Sequence, residues 1–527
     1  MNHLFLIMVF ICLTIGSTKA NNDTFETLLK NELQQWVKAD EPGCAIAYGN
    51  EDATYHLSIG LEKSGLGKKI DKHTRFVTAS ISKQITAHTA LKLIERGKLP
   101  LNKPINSLLP SLAKKPAITT EQLMNHSSGL ADHWALFELQ GRSLADAYEQ
   151  EQARQLIQTN SYVEFEPGSD HAYSNGGYLA LTDLIEKVAG QNINAAADKL
   201  FFKELGIKAY FYNHKQQQPN NLVHGHYKTK DGGFDYLQPE SYLYGPGNLA
   251  ITAEELSIWA RYLLNQLNTN PAYLEAKTIP KKFRHYFAGL YITKMPGNKR
   301  VFHHAGYYEH AAQDIVLLPE SNEFALAMCN RSDFRPAKLT RNILKATGSF
   351  ADKPNPDFTG KSSITQGIYA NHSGSKSAFI FENDSDFFYF GRLVGSPQKL
   401  QPLSSDTWQA TLSDSKVIVK TLGPETIIAR NGQQHDTYHL QTFTKGHRLN
   451  GGKPRRYVNE LVGEVTLQIS DESAITFTPQ IGSVPLKCTD QGHCFSEEGY
   501  VIVNIAGSEN LVVSTRDIQN LRFLPVD

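Results

Sequence analysis

RFVTASISKQITAHTALKLIERG, residues 75–97, is the stretch on which the fold turns. Residues 75–78 look like a short strand. Residues 81–99 follow a helical pattern, with Ile85, Leu91 and Ile94 apolar and Gly97 as a stop. Ser80 falls at the junction. Positions i and i+3 share one face of a helix, so Lys83 stands one turn from Ser80 and within reach of its hydroxyl. The start of a helix also offers unpaired amides and a positive dipole. A nucleophilic serine needs a neighbouring base and donors for a developing oxyanion, and this junction supplies both.

Short motifs recur by chance in a chain of 527 residues, so context has to select among them. Ser-x-x-Lys also starts at Ser111, Ser373, Ser396 and Ser413. Ser111 lies between Pro110 and Pro116, Ser396 precedes Pro397, and the other two fall in a tail without helices. Tyr-x-Asn occurs at Tyr48, Tyr173, Tyr369 and Tyr457. The copy at Tyr173 is bracketed by turn residues, with Pro167 and Gly168 before it and Gly176 and Gly177 after it. Such a loop can bring Tyr173 and Asn175 to one point. A phenol, with a reference pKa of about 10, acts as a base only beside a cation such as Lys83.

His-x-Gly occurs at His304 and His372. Residues 300–307 look like a strand carrying His303, His304 and Gly306. Side chains alternate along a strand, so one of the two histidines is expected to face a cleft. Gly306 would let a substrate approach the backbone, and the amide of Tyr307 could donate to an oxyanion. A metal held by His303, His304, Glu309 and His310 is the competing idea, but the spacing matches no HExxH-like pattern. No cofactor and no metal are expected.

The ordered set Ser80–Lys83, Tyr173–Asn175 and His304–Gly306 resembles the serine β-lactamase-like, penicillin-recognising superfamily. That group includes class C β-lactamases, D-aminopeptidases, D-Ala-D-Ala carboxypeptidases and esterases. Residues 122–130, QLMNHSSGL, resemble the family's LLxHTSGL segment, and residues 245–256 its Gly-rich turn before a helix. The resemblance implies Ser80 as the acylated nucleophile, with Lys83 and Tyr173 sharing the general-base work. It further implies that Asn175 holds the substrate, that His304 lines the opposite wall, and that the amides of Ser80 and Tyr307 form the oxyanion hole. Two departures stand out. Tyr307 and His310 are bulky where relatives often have small residues, and His304 stands where β-lactam-hydrolysing members usually have Lys. A neutral imidazole grips a carboxylate less well than an ammonium, which favours peptide or ester substrates over antibiotics.

Outside this region, Thr119 with Gln122 and Thr252 with Glu255 are spaced as capping boxes. Phe25, Leu28, Leu29, Leu33, Trp36 and Val37 share a helical face, and residues 301–330 follow a strand–turn–strand pattern. Residues 21–352 are thus expected to form an α+β domain, an antiparallel sheet with flanking helices. A proline-marked linker at 353–357 follows. Past it the texture is all β, and a Gly-rich break at 445–454 divides it. Two small antiparallel β domains, read as barrels, are expected at 358–445 and 446–527. Residues 516–523, RDIQNLRF, look like a closing strand. This layout is most similar to that of the D-aminopeptidases.

Composition sets the outer limits. The hydrophobic fraction is 40% and the charged fraction 20%, which excludes global disorder. Lys+Arg 53 and Asp+Glu 53 cancel, leaving no bulk electrostatic pull toward nucleic acid. Residues 4–15 are almost continuously apolar and precede Gly16–Ala20, as in a secretory signal peptide cut after Ala20, although residues 1–3 carry no Lys or Arg. No membrane-spanning segment is expected after its removal. Cys488 and Cys494 flank a polar turn and could staple a hairpin in an oxidising compartment. Cys44 and Cys329 lie in apolar, strand-like runs and read as buried thiols, with a pair between them as the alternative. The combined expectation is a periplasmic or secreted serine hydrolase acting through an acyl-enzyme on D-amino-acid peptides, amides or esters. The alternatives are a β-lactamase, a D-Ala-D-Ala carboxypeptidase, an esterase, or a non-catalytic penicillin-recognising binding protein. The partner is a small-molecule or peptide substrate, and nothing in the sequence sets the oligomeric state.

Overall fold

The structure is a computed structural model. It describes residues 25–365 except 143–148, 159, 214–221, 238–242, 271–285, 309, 334 and 352–363. From residue 367 onward it describes the strands named below and part of what connects them. The expected signal peptide, the linker at 353–357 and the break at 445–454 lie outside the described residues. The chain divides into two compact units, residues 1–89, 191–276 and 289–353, and residues 90–190, 277–288 and 354–527.

The first unit is built on an antiparallel sheet. Its strands are β1 (Cys44–Gly49), β2 (Thr54–Ile59), β5 (Leu290–Lys294), β6 (Arg300–Tyr308), β7 (Ala311–Leu318) and β8 (Glu323–Cys329), in the order β2-β1-β8-β7-β6-β5. Two further strands, β3 (Arg75–Val77) and β4 (Leu249–Thr252), pair beside it. Strand alternation sends Cys44, Ile46 and Tyr48 to one face, where Leu29 and Leu33 of helix α1 (residues 25–34) meet them. Leu339, Ile343 and Leu344 of α8 (Pro336–Ala346) complete that layer. Helices α2 (Ser82–Glu95) and α7 (Ala253–Thr269) pack together, and the fully buried Trp259 of α7 donates through Nε1 to Gln84 Oε1 at 3.1 Å.

The expected capping box at Thr252 forms in full, and Glu255 also takes a two-pronged ion pair from Arg75 of β3, at 2.9 and 3.1 Å. The first turn of α7 is thereby tied to the strand that leads into Ser80. The expected helix at 81–99 is shorter, because a 3-10 turn, Ala79–Ile81, precedes α2, and Gly97 in a left-handed conformation (φ 67°) follows it.

One expectation needs correction. Cys44 and Cys329 form a disulfide between β1 and β8, where they are direct cross-strand partners 4.1 Å apart at Cα. The pairing depends on a register joining strands 285 residues apart, which no local pattern reveals. Closing so long a loop restricts the unfolded chain strongly. The Cys44→Ala/Cys329→Ala protein is expected to lose about 2–5 kcal/mol of stability, read as a lower urea midpoint by tryptophan fluorescence.

The second unit carries the helices α3 (Thr120–Met124), α4 (His133–Leu139), α5 (Gln150–Gln158) and α6 (Asn175–Ala189). Thr119 and Gln122 form the expected capping box at α3. Residues 367–440 then form a nine-stranded antiparallel sheet. Its strands are β9 (Gly367–Ala370), β10 (Ser377–Asn383), β11 (Asp386–Gly391), β12 (Gln398–Lys399), β13 (Gln401–Pro402), β14 (Thr407–Leu412), β15 (Ser415–Gly423), β16 (Thr426–Asn431) and β17 (Gln434–Leu440). Their order is β12-β11-β10-β9-β17-β16-β15-β14-β13.

The last part is a closed eight-stranded barrel. It comprises β18 (Arg455–Asn459), β19 (Gly463–Gln468), β20 (Ala474–Thr476), β21 (Ser483–Cys488), β22 (His493–Ser496), β23 (Val501–Asn504), β24 (Leu511–Thr515) and β25 (Leu521–Pro525). Pairing of β18 with β25 closes it, and Tyr457, Val465, Phe495, Val513 and Phe523 are among its buried residues. Cys488 and Cys494 form the hairpin disulfide between β21 and β22. The barrel meets α4: Gln140, the C-cap of that helix, donates to Leu461 O at 2.6 Å in the turn between β18 and β19. Among the described residues no helix is long and apolar enough to cross a membrane.

Candidate active site

Ala79 adopts φ 44°, an uncommon conformation for a residue with a side chain, and it stands directly before Ser80. The turn is held from both ends. Thr78 N donates to Leu249 O at 2.9 Å, Ile81 N to Thr78 O at 3.1 Å, and Leu249 N to Ser82 Oγ at 2.9 Å. Ser80 itself is partly exposed.

Lys83 is fully buried, and its Nζ donates to Ser80 Oγ at 3.1 Å and to Pro246 O at 2.7 Å. Thr86 Oγ1 donates to the neighbouring Gly245 O at 2.7 Å, so the turn before α7 is fastened to α2 on both sides of the amine. The expected Ser80–Lys83 pair is therefore formed. The carbonyl of Pro246 was not foreseen; a backbone acceptor 163 residues away leaves no side-chain signature. Gly289 is a second unforeseen support. At φ 81° it lies against α2, and a Cβ there would come within 2.5 Å of Gln84 N.

β6 runs beside the Ser80 turn. Its pairing with β5 covers only Arg300–His303, and the part from His304 onward passes the turn at Ala79–Ile81. A Cβ on Gly306 would lie 2.4 Å from Thr78 O and 3.3 Å from Ala79 Cβ. The expected reason for this glycine was access for substrate; the structure gives a different one, because the protein's own Thr78 carbonyl fills that space. Tyr307, one residue on, is 52% exposed. Both histidines are buried, at 4% exposure for His303 and 2% for His304, so alternation does not turn one of them outward. Both rings lie near Tyr291, and His304 Nδ1 contacts Ala305 O at 2.6 Å. Since the carbonyl only accepts, Nδ1 carries the proton. Among the described residues no group of His, Cys, Asp or Glu is arranged to hold a metal.

Tyr173 and Asn175 belong to the second unit. The Tyr173 ring lies against His126 at 4.3 Å between centroids and edge-on to Tyr286 at 6.2 Å. His126, at φ 60°, accepts from Ser174 N through Nδ1 at 3.1 Å, and its carbonyl accepts from Ala172 N at 3.1 Å. It therefore holds the backbone on both sides of Tyr173. Ser174 is the N-cap of α6: its Oγ accepts from Gly177 N at 2.8 Å and donates to Ala131 O at 3.1 Å. Asn175 is thus the first helical residue, and the cap rather than alternation in a loop sets its direction. Gly176 is required by close approach, since a Cβ would fall 2.2 Å from Ala131 O.

Asp132 was also unforeseen. Its Oδ2 accepts from both Asn175 N and Asn175 Nδ2, each at 2.7 Å, while Oδ1 accepts from Trp134 N at 2.9 Å as the N-cap of α4. Both His126 and Asp132 fall in or just after QLMNHSSGL, so that resemblance marked the right region without giving their contacts.

The family model described as Beta-lactamase matches residues 24–348. A D-aminopeptidase of Gluconobacter oxydans is 24% identical over 236 residues, 44% of either chain. Penicillin-binding protein 4* of Bacillus subtilis is 23% identical over 357 residues, 63% of this chain and 78% of that protein. The match thus spans less than half of the D-aminopeptidase. The octameric penicillin-binding protein homologue from Pyrococcus abyssi superposes with a TM-score of 0.55 at 17% identity, covering 79% of this chain and 99% of the other.

Proposed function

The chain belongs to the Beta-lactamase family, and we propose that it is an exported serine hydrolase that forms an acyl-enzyme on Ser80 and acts on D-amino-acid peptides, amides or esters. The observation that carries this reading is the 3.1 Å hydrogen bond from the buried Lys83 Nζ to Ser80 Oγ. Ser80 Oγ attacks the substrate carbonyl, and its proton passes to Lys83, acting as the neutral amine, as the C–O bond forms. The amides of Ser80 and Tyr307 receive the oxyanion. Collapse of the tetrahedral intermediate breaks the bond to the leaving amine or alcohol, which takes up that proton. Water then attacks the acyl-serine by the same route and releases the acid.

The substrate preference draws support from His304. An imidazole at position 304, unlike a lysine ammonium, carries no permanent charge near neutral pH that would hold a β-lactam carboxylate. Two disulfides suit an oxidising compartment, which supports export. Similarity to a D-aminopeptidase over 236 residues, together with a closed barrel at the C-terminal end, supports D-residue substrates.

The test uses the mature wild-type protein. A fluorophosphonate or a fluorescent penicillin is expected to leave one covalent adduct, located by peptide mass on the segment bearing Ser80. D-alanyl anilide is expected to turn over faster than L-alanyl anilide and much faster than a chromogenic cephalosporin. An unmarked protein would favour a non-catalytic binding module, and efficient cephalosporin hydrolysis would overturn the substrate assignment.

A further inference from the structure

The carboxamide of Asn175 has two orientations that differ by exchange of its oxygen and nitrogen, and most environments accept either. Asp132 does not. Its Oδ2 receives both the main-chain and the side-chain N–H of Asn175 at 2.7 Å, and a carboxylate without a proton only accepts. Turning the amide over would set its oxygen against Oδ2, losing a hydrogen bond and placing two negative atoms in contact. Asp132 is 6% exposed, so water offers little compensation. We propose that Asp132 is a positioning residue that selects one orientation of Asn175, with nitrogen toward Asp132 and oxygen directed away. The end of Asn175 able to meet an N–H donor on a substrate is then fixed before any ligand arrives.

This inference rests on the reading of Asn175 as a substrate-side group, and the two are tested separately. Asp132 also caps α4, so truncation to Ala would mix the two roles. Asp132→Ser keeps a cap oxygen for Trp134 N but is too short to reach Asn175 as well. Misplacing a substrate-side group by about 1 Å costs up to roughly 100-fold, so Asp132→Ser is expected to lower kcat/KM for D-alanyl anilide about 10- to 100-fold. In an Asn175→Ala background, which keeps the main-chain bond to Asp132 but lacks the carboxamide, the same change is expected to cost clearly less, because the group it orients is gone.

Equal losses in both backgrounds, or no loss in wild type, would overturn the proposal. A second readout needs no activity. In the NMR spectrum of the full chain, the Asn175 side-chain amide is expected to exchange slowly and to become fast and averaged in Asp132→Ser. An amide unchanged by the substitution would also overturn it. If the wild type takes no covalent label at Ser80, the hydrolase reading fails while this NMR result still decides the clamp.

Discussion

Ser80→Ala is expected to abolish covalent labelling and to lower kcat on D-alanyl anilide by about 10⁴- to 10⁶-fold, with little change in stability. Removing the nucleophile of a serine hydrolase costs about 10⁶ in kcat, the remainder coming from oxyanion stabilisation and binding. The fold should tolerate the change. Ser80 is partly exposed, and the hydrogen bonds that hold its turn run through Thr78, Ile81, Ser82 and Leu249. Lys83 keeps its bond to Pro246 O when the serine hydroxyl is gone. Stability should therefore stay within about 0.5 kcal/mol of wild type. A label that persists in Ser80→Ala would place the nucleophile elsewhere and end the acyl-enzyme reading. Loss of activity with a collapse of the thermal transition would instead say that Ser80 is structural.

Local physics made the Ser80–Lys83 pair legible. Strand, turn and helix follow one another within residues 75–97, and the i, i+3 spacing of Ser80 and Lys83 is a property of any helix. The capping boxes at Thr119 and Thr252 and the hairpin around Cys488 and Cys494 are local as well, and each was readable for that reason. Contacts set by the three-dimensional path of the chain were hidden. Cys44 finds Cys329 only after β1 has paired with β8, and Lys83 finds Pro246 only when the turn before α7 reaches α2. His304 shows the limit of alternation arguments, for in a strand covered on both sides period two does not sort residues into cleft and core. Asp132 and Asn175 lie 43 residues apart, and nothing in either neighbourhood announces that one carboxylate oxygen will serve both donors of the other. The barrel was readable only as texture, since its closure depends on β18 pairing with β25.

Gly306→Ala is expected to lower kcat/KM by about 100-fold and to destabilise the protein by about 1–3 kcal/mol. The reason is steric. The added methyl would stand 2.4 Å from Thr78 O, 3.2 Å from Gln313 Oε1 and 3.3 Å from Ala79 Cβ. Gln313 is a side chain and can give way. Thr78 O cannot, because it accepts from Ile81 N while Thr78 N is bonded to Leu249 O. Relief must therefore come from moving β6 away from the turn that carries Ser80, or from moving the turn, which already holds Ala79 at φ 44°. Either motion separates Ser80 from Tyr307, and hence the two amides proposed to share the oxyanion. Gly97→Ala provides the control. That glycine also has a positive φ, 67°, but no atom lies within 4 Å of an added Cβ, so the cost is conformational, about 1 kcal/mol, and remote from the turn. Both variants should unfold at lower temperature, and only Gly306→Ala should lose activity and labelling rate. Equal activity in the two would mean that β6 can move without disturbing Ser80, and the backbone of Tyr307 would then have no part in holding the oxyanion.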